Sequence, residues 1–131
     1  MRQPEGKVLY EAAKAGKLDE VEAAVDAGAP MEWANPDDGL RMAVHLASSG
    51  GHKDVVAFLG SRGADVNVHS CDFARTPLHY AALNGHRSVC TTLLALGADP
   101  AAKDKWSDTA LDEARANNKP ECVAVLEAAM R

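Results

Sequence analysis

One stretch of this chain, residues 76–86 (Thr-Pro-Leu-His-Tyr-Ala-Ala-Leu-Asn-Gly-His), recurs in weaker form along the rest of it. His79 and Gly85 lie 34 residues after His45 and Gly51. Further copies lie one step before and one step after these, so the chain divides into four units separated by steps of 35, 34 and 33 residues. A regular period of this length predicts a stack of similar units, each contacting its neighbours, in place of one central core.

The residues of the repeat also predict where its helices begin and end. Thr76 can cap a first helix, and Pro77 suits the first helical position because its missing N–H is not needed there. Gly85 should end that helix in the left-handed conformation, which Asn118 can adopt in the fourth unit. Apolar residues at helical spacing predict second helices at residues 18–27, 55–62, 89–96 and 122–129.

A period in the low thirties headed by Thr-Pro-Leu-His resembles the ankyrin repeat, over nearly all of the 131 residues and most specifically in the third unit. The resemblance implies an all-α solenoid of stacked helix-turn-helix units with short β-hairpin fingers between them. We place the units of this single domain at about 6–38, 39–72, 73–106 and 107–131, the first and last being capping repeats. Its size is similar to that of myotrophin and of ankyrin-type kinase inhibitors, in architecture only.

Charge and composition exclude several classes of partner. The net charge of −5 comes from residues 1–40, which hold four Lys or Arg against nine Asp or Glu, and there is no basic stripe for nucleic acid. No apolar run is long enough to span a bilayer, and the N-terminus lacks the apolar core of a signal peptide. We therefore expect a monomer of the cytoplasm or nucleus with no cofactor and no membrane contact.

Motifs for catalysis and metal binding are mostly absent from the sequence. It has no phosphate-binding loop, no Cys-x-x-Cys and no His-Glu-x-x-His. The resemblance implies that His45 and His79 hydrogen-bond to backbone. His69, Cys71 and Asp72 form a weak alternative, a metal or enzymatic site in the 69–72 turn, although a structural zinc site needs four ligands. A non-enzymatic protein is the main prediction.

Positions that vary between otherwise similar units are available for recognition. Three of the six aromatic residues lie in predicted turns, where polar residues are usual, and two arginines flank these turns. Aromatic residues and arginine are the usual anchors of protein interfaces, although packing onto a neighbouring finger is an equally good explanation for the aromatics. The predicted partner-binding residues are Trp33, Arg41, Leu46, His69, Phe73, Arg75, Tyr80, Leu83, Lys105 and Trp106.

The partner is therefore predicted to be another protein, of unknown identity, held in a concave groove of first helices and fingers and thereby inhibited, adapted or scaffolded. The longer first and second steps place an insertion of one or two residues in the fingers. One alternative is modification: Asp65-Val66-Asn67 resembles the pattern that asparaginyl hydroxylases accept in ankyrin domains, with Asn67 as the modified residue. Consensus packing of Asn67 against finger backbone explains the same pattern.

Overall fold

A computed structural model describes residues 5–131 of the chain. These residues form eight α-helices in four consecutive pairs, and the regular secondary structure between the helices amounts to a single isolated bridge. The helices are α1 (Glu5–Ala15), α2 (Leu18–Asp26), α3 (Ala43–Ser49), α4 (Lys53–Ser61), α5 (Pro77–Leu83), α6 (Arg87–Ala95), α7 (Ala110–Ala116) and α8 (Pro120–Ala129). The predicted helical solenoid is confirmed.

The first helices begin where the sequence predicts. The hydroxyl of Thr76 accepts from the backbone N–H of His79, whose Nδ1 accepts in return from the N–H of Thr76 at 3.1 Å. Thr109 and Asp112 repeat this reciprocal cap at the start of α7. Such caps satisfy amide groups that have no partner within the helix.

Helix α2 begins at Leu18 as predicted, whereas α4 and α6 begin two residues earlier than predicted. Helix α4 starts at Lys53 and α6 at Arg87, directly after the histidine that follows each helix-ending glycine. Polar residues fill these first turns, so apolar periodicity could not detect them. The predicted ends of the first helices are confirmed, because Gly85 has φ +76° and Asn118 has φ +58°.

The helices form two layers. Helices α1, α3, α5 and α7 pack side by side in chain order, and α2, α4, α6 and α8 form the second layer, with α2 held less closely to α4 than the later pairs are to each other. The core is a stripe of fully buried residues between the layers rather than one centre. It includes Val56, Leu59, Cys90, Leu93, Cys122 and Leu126.

The motif histidines are fully buried and neutral. Nε2 of His79 lies 2.8 Å from the carbonyl of Asp108, and Nε2 of His45 lies 3.0 Å from that of Val68. Each Nδ1 accepts a backbone N–H of its own unit, so each Nε2 must carry the proton and donate. Burial lowers the pKa of His45 to about 4. The expected hydrogen bonds to backbone are present.

The fingers are tight turns and not the β-hairpins that the resemblance implied. Each tip is closed by one equivalent 2.9 Å backbone hydrogen bond, from Asn35 to Arg41, from Ser70 to Arg75 and from Asp104 to Asp108. We call residues 35–41, 70–75 and 104–108 the first, second and third tips. A left-handed residue before the closing position bends each tip, so no described strand is paired beyond the bridge between Asn35 and Arg41.

Each tip is one residue shorter than the tip before it, as their closing hydrogen bonds show. The unequal steps between the units therefore arise in the tips, as predicted. Neighbouring tips are also joined, because the N–H of Cys71 donates to Gly39 at 3.0 Å and that of Lys105 donates to Phe73 at 2.9 Å. The three tips consequently form one continuous row.

The outer face of the fourth unit is polar where inner units are apolar. Ala82 is fully buried, whereas Arg115 at the equivalent position of α7 is exposed. Leu94 is likewise replaced by Glu127 in α8. Arg115 Nη2 donates to Glu127 Oε2 at 2.9 Å, so an ion pair covers the surface on which another unit would stack.

Candidate functional site

Arg41 binds the first two tips together. Its guanidinium lies 2.6 Å from Asp38 Oδ1 and 2.8 Å from Asp72 Oδ2, and its Nε donates to the Tyr80 hydroxyl at 2.8 Å. Its side chain is 21% exposed. All three nitrogens of Arg41, a predicted partner-binding residue, therefore already have partners within the chain.

The carboxylates beside Arg41 have further partners. Asp38 accepts from the hydroxyl of Tyr10, and Asp72 accepts from the Ser70 hydroxyl at 2.7 Å. Burial opposes ionisation of Asp72, but hydrogen bonds from Ser70 and from the backbone, with the charge of Arg41, lower its pKa. Burial and the Asp38 carboxylate raise the pKa of Tyr10. The first tip is thus tied to α1 and to the second tip.

Tyr80 and Trp33 pack inside the array. Tyr80 is 5% exposed, and its ring meets that of His45 edge to face at 5.7 Å. Trp33 is half-buried and meets Tyr10 edge to face at 5.7 Å, and it covers Gly6 so closely that a Cβ there would clash. Internal packing, the alternative explanation for the aromatics, therefore describes Trp33. A role for either residue in binding stays a prediction.

The second and third tips carry an aromatic stack with one half-buried and one exposed ring. The rings of Phe73 and Trp106 lie 5.3 Å apart and 28° from parallel, and Trp106 is 53% exposed. Arg75 lies 5.1 Å from the centre of the Phe73 ring and 5.5 Å from that of Trp106, while Lys105 lies 5.9 Å from Trp106. We call Phe73, Arg75, Lys105 and Trp106 the tip patch. Four of the predicted binding residues meet there.

Arg75 is held more loosely than Arg41. Its Nε lies 3.8 Å from Asp104 and its Nη2 lies 3.6 Å from Glu113, and neither contact is a hydrogen bond. The difference arises because Glu113 stands where Tyr80 stands in the preceding unit. The guanidinium of the tip patch therefore keeps unused hydrogen-bonding capacity.

Three carboxyl groups converge beneath the tip patch. Oxygens of Asp104, Asp108 and Glu113 lie within 4.8 Å of one another. Burial and the neighbouring Asp104 raise the pKa of Glu113, whereas backbone N–H groups of the third tip lower that of Asp104 against the effect of burial. The charge of Arg75 offsets part of the repulsion among these carboxyl groups.

The turn proposed as an alternative metal site spreads its side chains among different partners. Nδ1 of His69 lies 2.7 Å from the carbonyl of Ala74, while the Asp72 carboxylate is bonded to Arg41 and Ser70. Cys71 is an exposed free thiol. Among residues 5–131 these three side chains do not converge as metal ligands would.

The remaining predicted residues lie apart from the tip patch. Leu46 and Leu83 are half-buried on α3 and α5, and His69 is exposed before the second tip. Asn67 is exposed, yet its amide donates to the Gly97 carbonyl at 3.1 Å and accepts from the Asp99 N–H at 2.7 Å. Asn67 therefore joins the second unit to the third.

Sequence reasoning missed the acidic partners of the two arginines. Asp38 and Asp72 pair with Arg41, and Asp104 and Glu113 lie beside Arg75. In the sequence these four acidic residues look like ordinary turn or helix residues. A usable signal was present, because Arg41 and Arg75 occupy equivalent positions in successive units. The residue after the motif position in the following unit is polar in both cases, Tyr80 for Arg41 and Glu113 for Arg75. Comparison of the units in pairs would have found it.

Similarity to known proteins agrees with this architecture. A family model of three ankyrin repeats matches residues 9–104 and again residues 69–129. No curated protein matches the chain. Every helix of residues 5–131 is too short or too polar to cross a membrane. Ankyrin repeats generally mediate binding to other proteins and are typically not enzymes. With the repeated helix pairs, caps and tips, these matches show that the chain belongs to the ankyrin repeat family.

Proposed function

We propose that this protein binds a partner protein through the tip patch and the neighbouring exposed surface of the first helices. The observation that supports this most directly is Trp106, a 53% exposed aromatic side chain in a turn. Exposing so large an apolar ring has a cost in water, which a partner would remove by covering it. The stack on Phe73 holds the ring in place before binding.

The charges around Trp106 suit a partner that carries both apolar and acidic groups. Arg75 and Lys105 lie beside the ring, and Lys105 is exposed. A carboxylate of the partner could pair with the Lys105 ammonium, since charge-assisted hydrogen bonds are stronger than neutral ones. Leu46, Leu83 and His69 extend the surface along the array. A typical interface would bury roughly 800 Å² on each partner.

The proposed mechanism is steric, in that the protein would occupy a surface of its partner. The partner would be inhibited, adapted to another protein or scaffolded, in the cytoplasm or the nucleus. A monomer suffices, since the tip patch is complete within one chain.

Affinity capture tests the proposal. Tagged wild-type protein and a Trp106→Ala variant are used to capture proteins from a cell extract, which are identified by mass spectrometry. Met130→Ala serves as the matched control, because Met130 is a large apolar residue, 44% exposed, at the end of α8. We expect Trp106→Ala to lose specific partners that Met130→Ala retains, with the helical circular dichroism unchanged in both. Equal capture by all three proteins would reject the tip patch.

Modification at Asn67 is a second candidate, favoured by the exposure of this side chain in the Asp65-Val66-Asn67 sequence. Incubation with an iron- and 2-oxoglutarate-dependent asparaginyl hydroxylase should then add one oxygen to the intact mass. Peptide mapping must place that oxygen on Asn67. An unchanged mass would leave Asn67 with its structural role alone.

A further inference from the structure

The junction between the first and second units lacks the bridge that joins the second unit to the third. In that later junction the amide of Asn67 bonds both Gly97 and Asp99. Glu32 occupies the equivalent place in the first unit, within the same kind of turn. A carboxylate cannot donate to a carbonyl, so Glu32 cannot repeat the bond to Gly63 that Asn67 makes to Gly97.

A cleft opens where this bridge is missing. It has a volume of about 220 Å³, and its lining includes the side chains of Met31, Met42, Val44 and Val68. Val44 is buried, and the other three are half-buried. The weaker packing of α2 against α4 agrees with units that stand apart here. The cleft is apolar in its depth.

The rim of the cleft offers negative charge and hydrogen-bond acceptors. Glu32 and Asp65 are exposed residues of the lining, and Gly63 contributes its backbone. Among residues 5–131 no lysine or arginine forms an ion pair with either carboxylate. The surrounding first unit is also acidic, with nine Asp or Glu against four Lys or Arg in residues 1–40. This combination is complementary to a cation on an apolar stem.

We propose that this cleft receives an arginine side chain of a partner protein. Its methylene groups would lie against Met31 and Met42, whose flexible thioethers adapt to an inserted chain. Its guanidinium would meet Glu32 and Asp65 and donate to the Gly63 carbonyl, because a planar group with five donors can serve several acceptors at once. Lysine offers a compact, strongly hydrated charge and fits this rim less well. The inference is independent of the tip patch.

Methyl NMR of the full chain tests the assignment directly. Two of the four methionines line the cleft, and Met130 at the opposite end of the array is an internal control. The probe is Nα-acetyl-arginine amide, titrated into the millimolar range against protein labelled at its methionine methyl groups. We expect the Met31 and Met42 signals to shift with the probe while Met130 stays in place. The lysine analogue and the uncharged citrulline analogue should shift them several-fold less.

Two substitutions at one position sharpen the test. Glu32→Gln should weaken arginine binding about three- to fivefold, as the loss of one exposed charge pair does. Glu32→Asn should supply the missing amide, close the cleft, abolish the shifts and raise the midpoint of thermal unfolding by about 2–5 °C. Glu11→Gln, which removes an exposed charge of the same unit from α1, should change nothing.

Several results would overturn the proposal. These are an absence of shifts at Met31 and Met42, equal shifts with citrulline or lysine, and undiminished binding by Glu32→Asn. Trp106→Ala should bind the probe as wild type does. Loss of partner capture by Trp106→Ala with intact arginine binding would therefore separate the cleft from the tip patch.

Discussion

Arg41 donates its Nε to the hydroxyl of Tyr80 at 2.8 Å, across 39 residues of sequence. The same guanidinium holds Asp38 and Asp72, so one side chain connects the first tip, the second tip and α5. A residue that sequence analysis assigns to a binding surface is thus a structural tie between units. Substitution of Arg41 should therefore lower the free energy of unfolding.

Arg41→Ala should destabilise the array by about 2 kcal/mol. The substitution leaves Asp38 and Asp72 without their cation and Tyr80 without its donor, in a partly buried place. Denaturant unfolding followed by circular dichroism measures the change. Arg62→Ala is the control, because Arg62 pairs with Asp26 on an exposed face and should cost no more than about 1 kcal/mol. Equal losses would contradict the assigned role of Arg41.

The two tryptophans should differ in their access to solvent. Trp33 packs on α1, whereas Trp106 is 53% exposed. Collisional quenching by acrylamide should therefore be stronger in Trp33→Phe, which retains Trp106, than in Trp106→Phe, which retains Trp33. Fluorescence lifetimes check the comparison. The reverse order would contradict the packing of Trp33 on α1 and the exposure of Trp106.

Acid should destabilise the protein partly through His45. Burial lowers the pKa of His45 from 6.5 to about 4, so the unfolded chain binds a proton that the folded chain refuses within this interval. Stability should fall as the pH drops from about 6.5 towards 4, by about 3 kcal/mol from this residue. Denaturant unfolding at several pH values measures the slope. His45→Gln should be less stable at neutral pH and show a shallower slope; an unchanged slope would contradict a neutral His45.

Leu40→Gly should stabilise the first tip. Leu40 has φ +57°, a left-handed conformation that is costly for a side chain with a Cβ, and it is 39% exposed. Relief of this strain should exceed the added entropy of the unfolded chain and gain about 0.5–1 kcal/mol. Gly39→Ala is the opposite case, since Gly39 has φ +61° and a Cβ there would clash with Asp72. Thermal unfolding should move upwards for the first variant and downwards for the second.

Removing the polar end face should make the protein associate. The double variant Arg115→Ala and Glu127→Leu restores the residues that inner units carry, as Ala82 and Leu94 do. An apolar face of this kind is normally buried by another unit. Sedimentation velocity should show a concentration-dependent dimer for the variant and a monomer for the wild type. A monomeric variant would mean that the ion pair between Arg115 and Glu127 is not what keeps this face free.

Features that depend on local chemistry were predictable from the sequence. Thr76, Pro77 and Gly85 marked the limits of α5, and Asn118 marked the end of α7, because caps and left-handed residues act within a few positions. The first turns of α4 and α6 were not predicted, because their residues are polar and do not show apolar periodicity. Paired strands in the fingers were wrongly expected. The family resemblance does not show how few residues lie within the backbone hydrogen bond that closes each tip.

The site was predictable in composition and less so in geometry. Phe73 and Trp106 were recognised as unusual turn residues, and they do form a stacked pair in which Trp106 is exposed. Tyr80 looked equally variable, yet it is buried because Arg41 from the preceding unit reaches its hydroxyl. Contacts between units depend on distances across the stack, which residue type alone does not contain. The significance of Glu32 appeared only beside the bridge made by Asn67.

The arginines of the first and second tips have different polar partners. Arg41 is matched by Asp72 and Tyr80, whereas Arg75 faces Asp104 and Glu113. A chain built from similar units risks folding with one unit skipped, so that the second unit docks on the fourth. Such a slip would set Arg41 against two acidic groups suited to Arg75 and would leave the Tyr80 hydroxyl without the Arg41 donor. The different partners of Arg41 and Arg75 therefore favour the native order of units over an arrangement with one unit skipped.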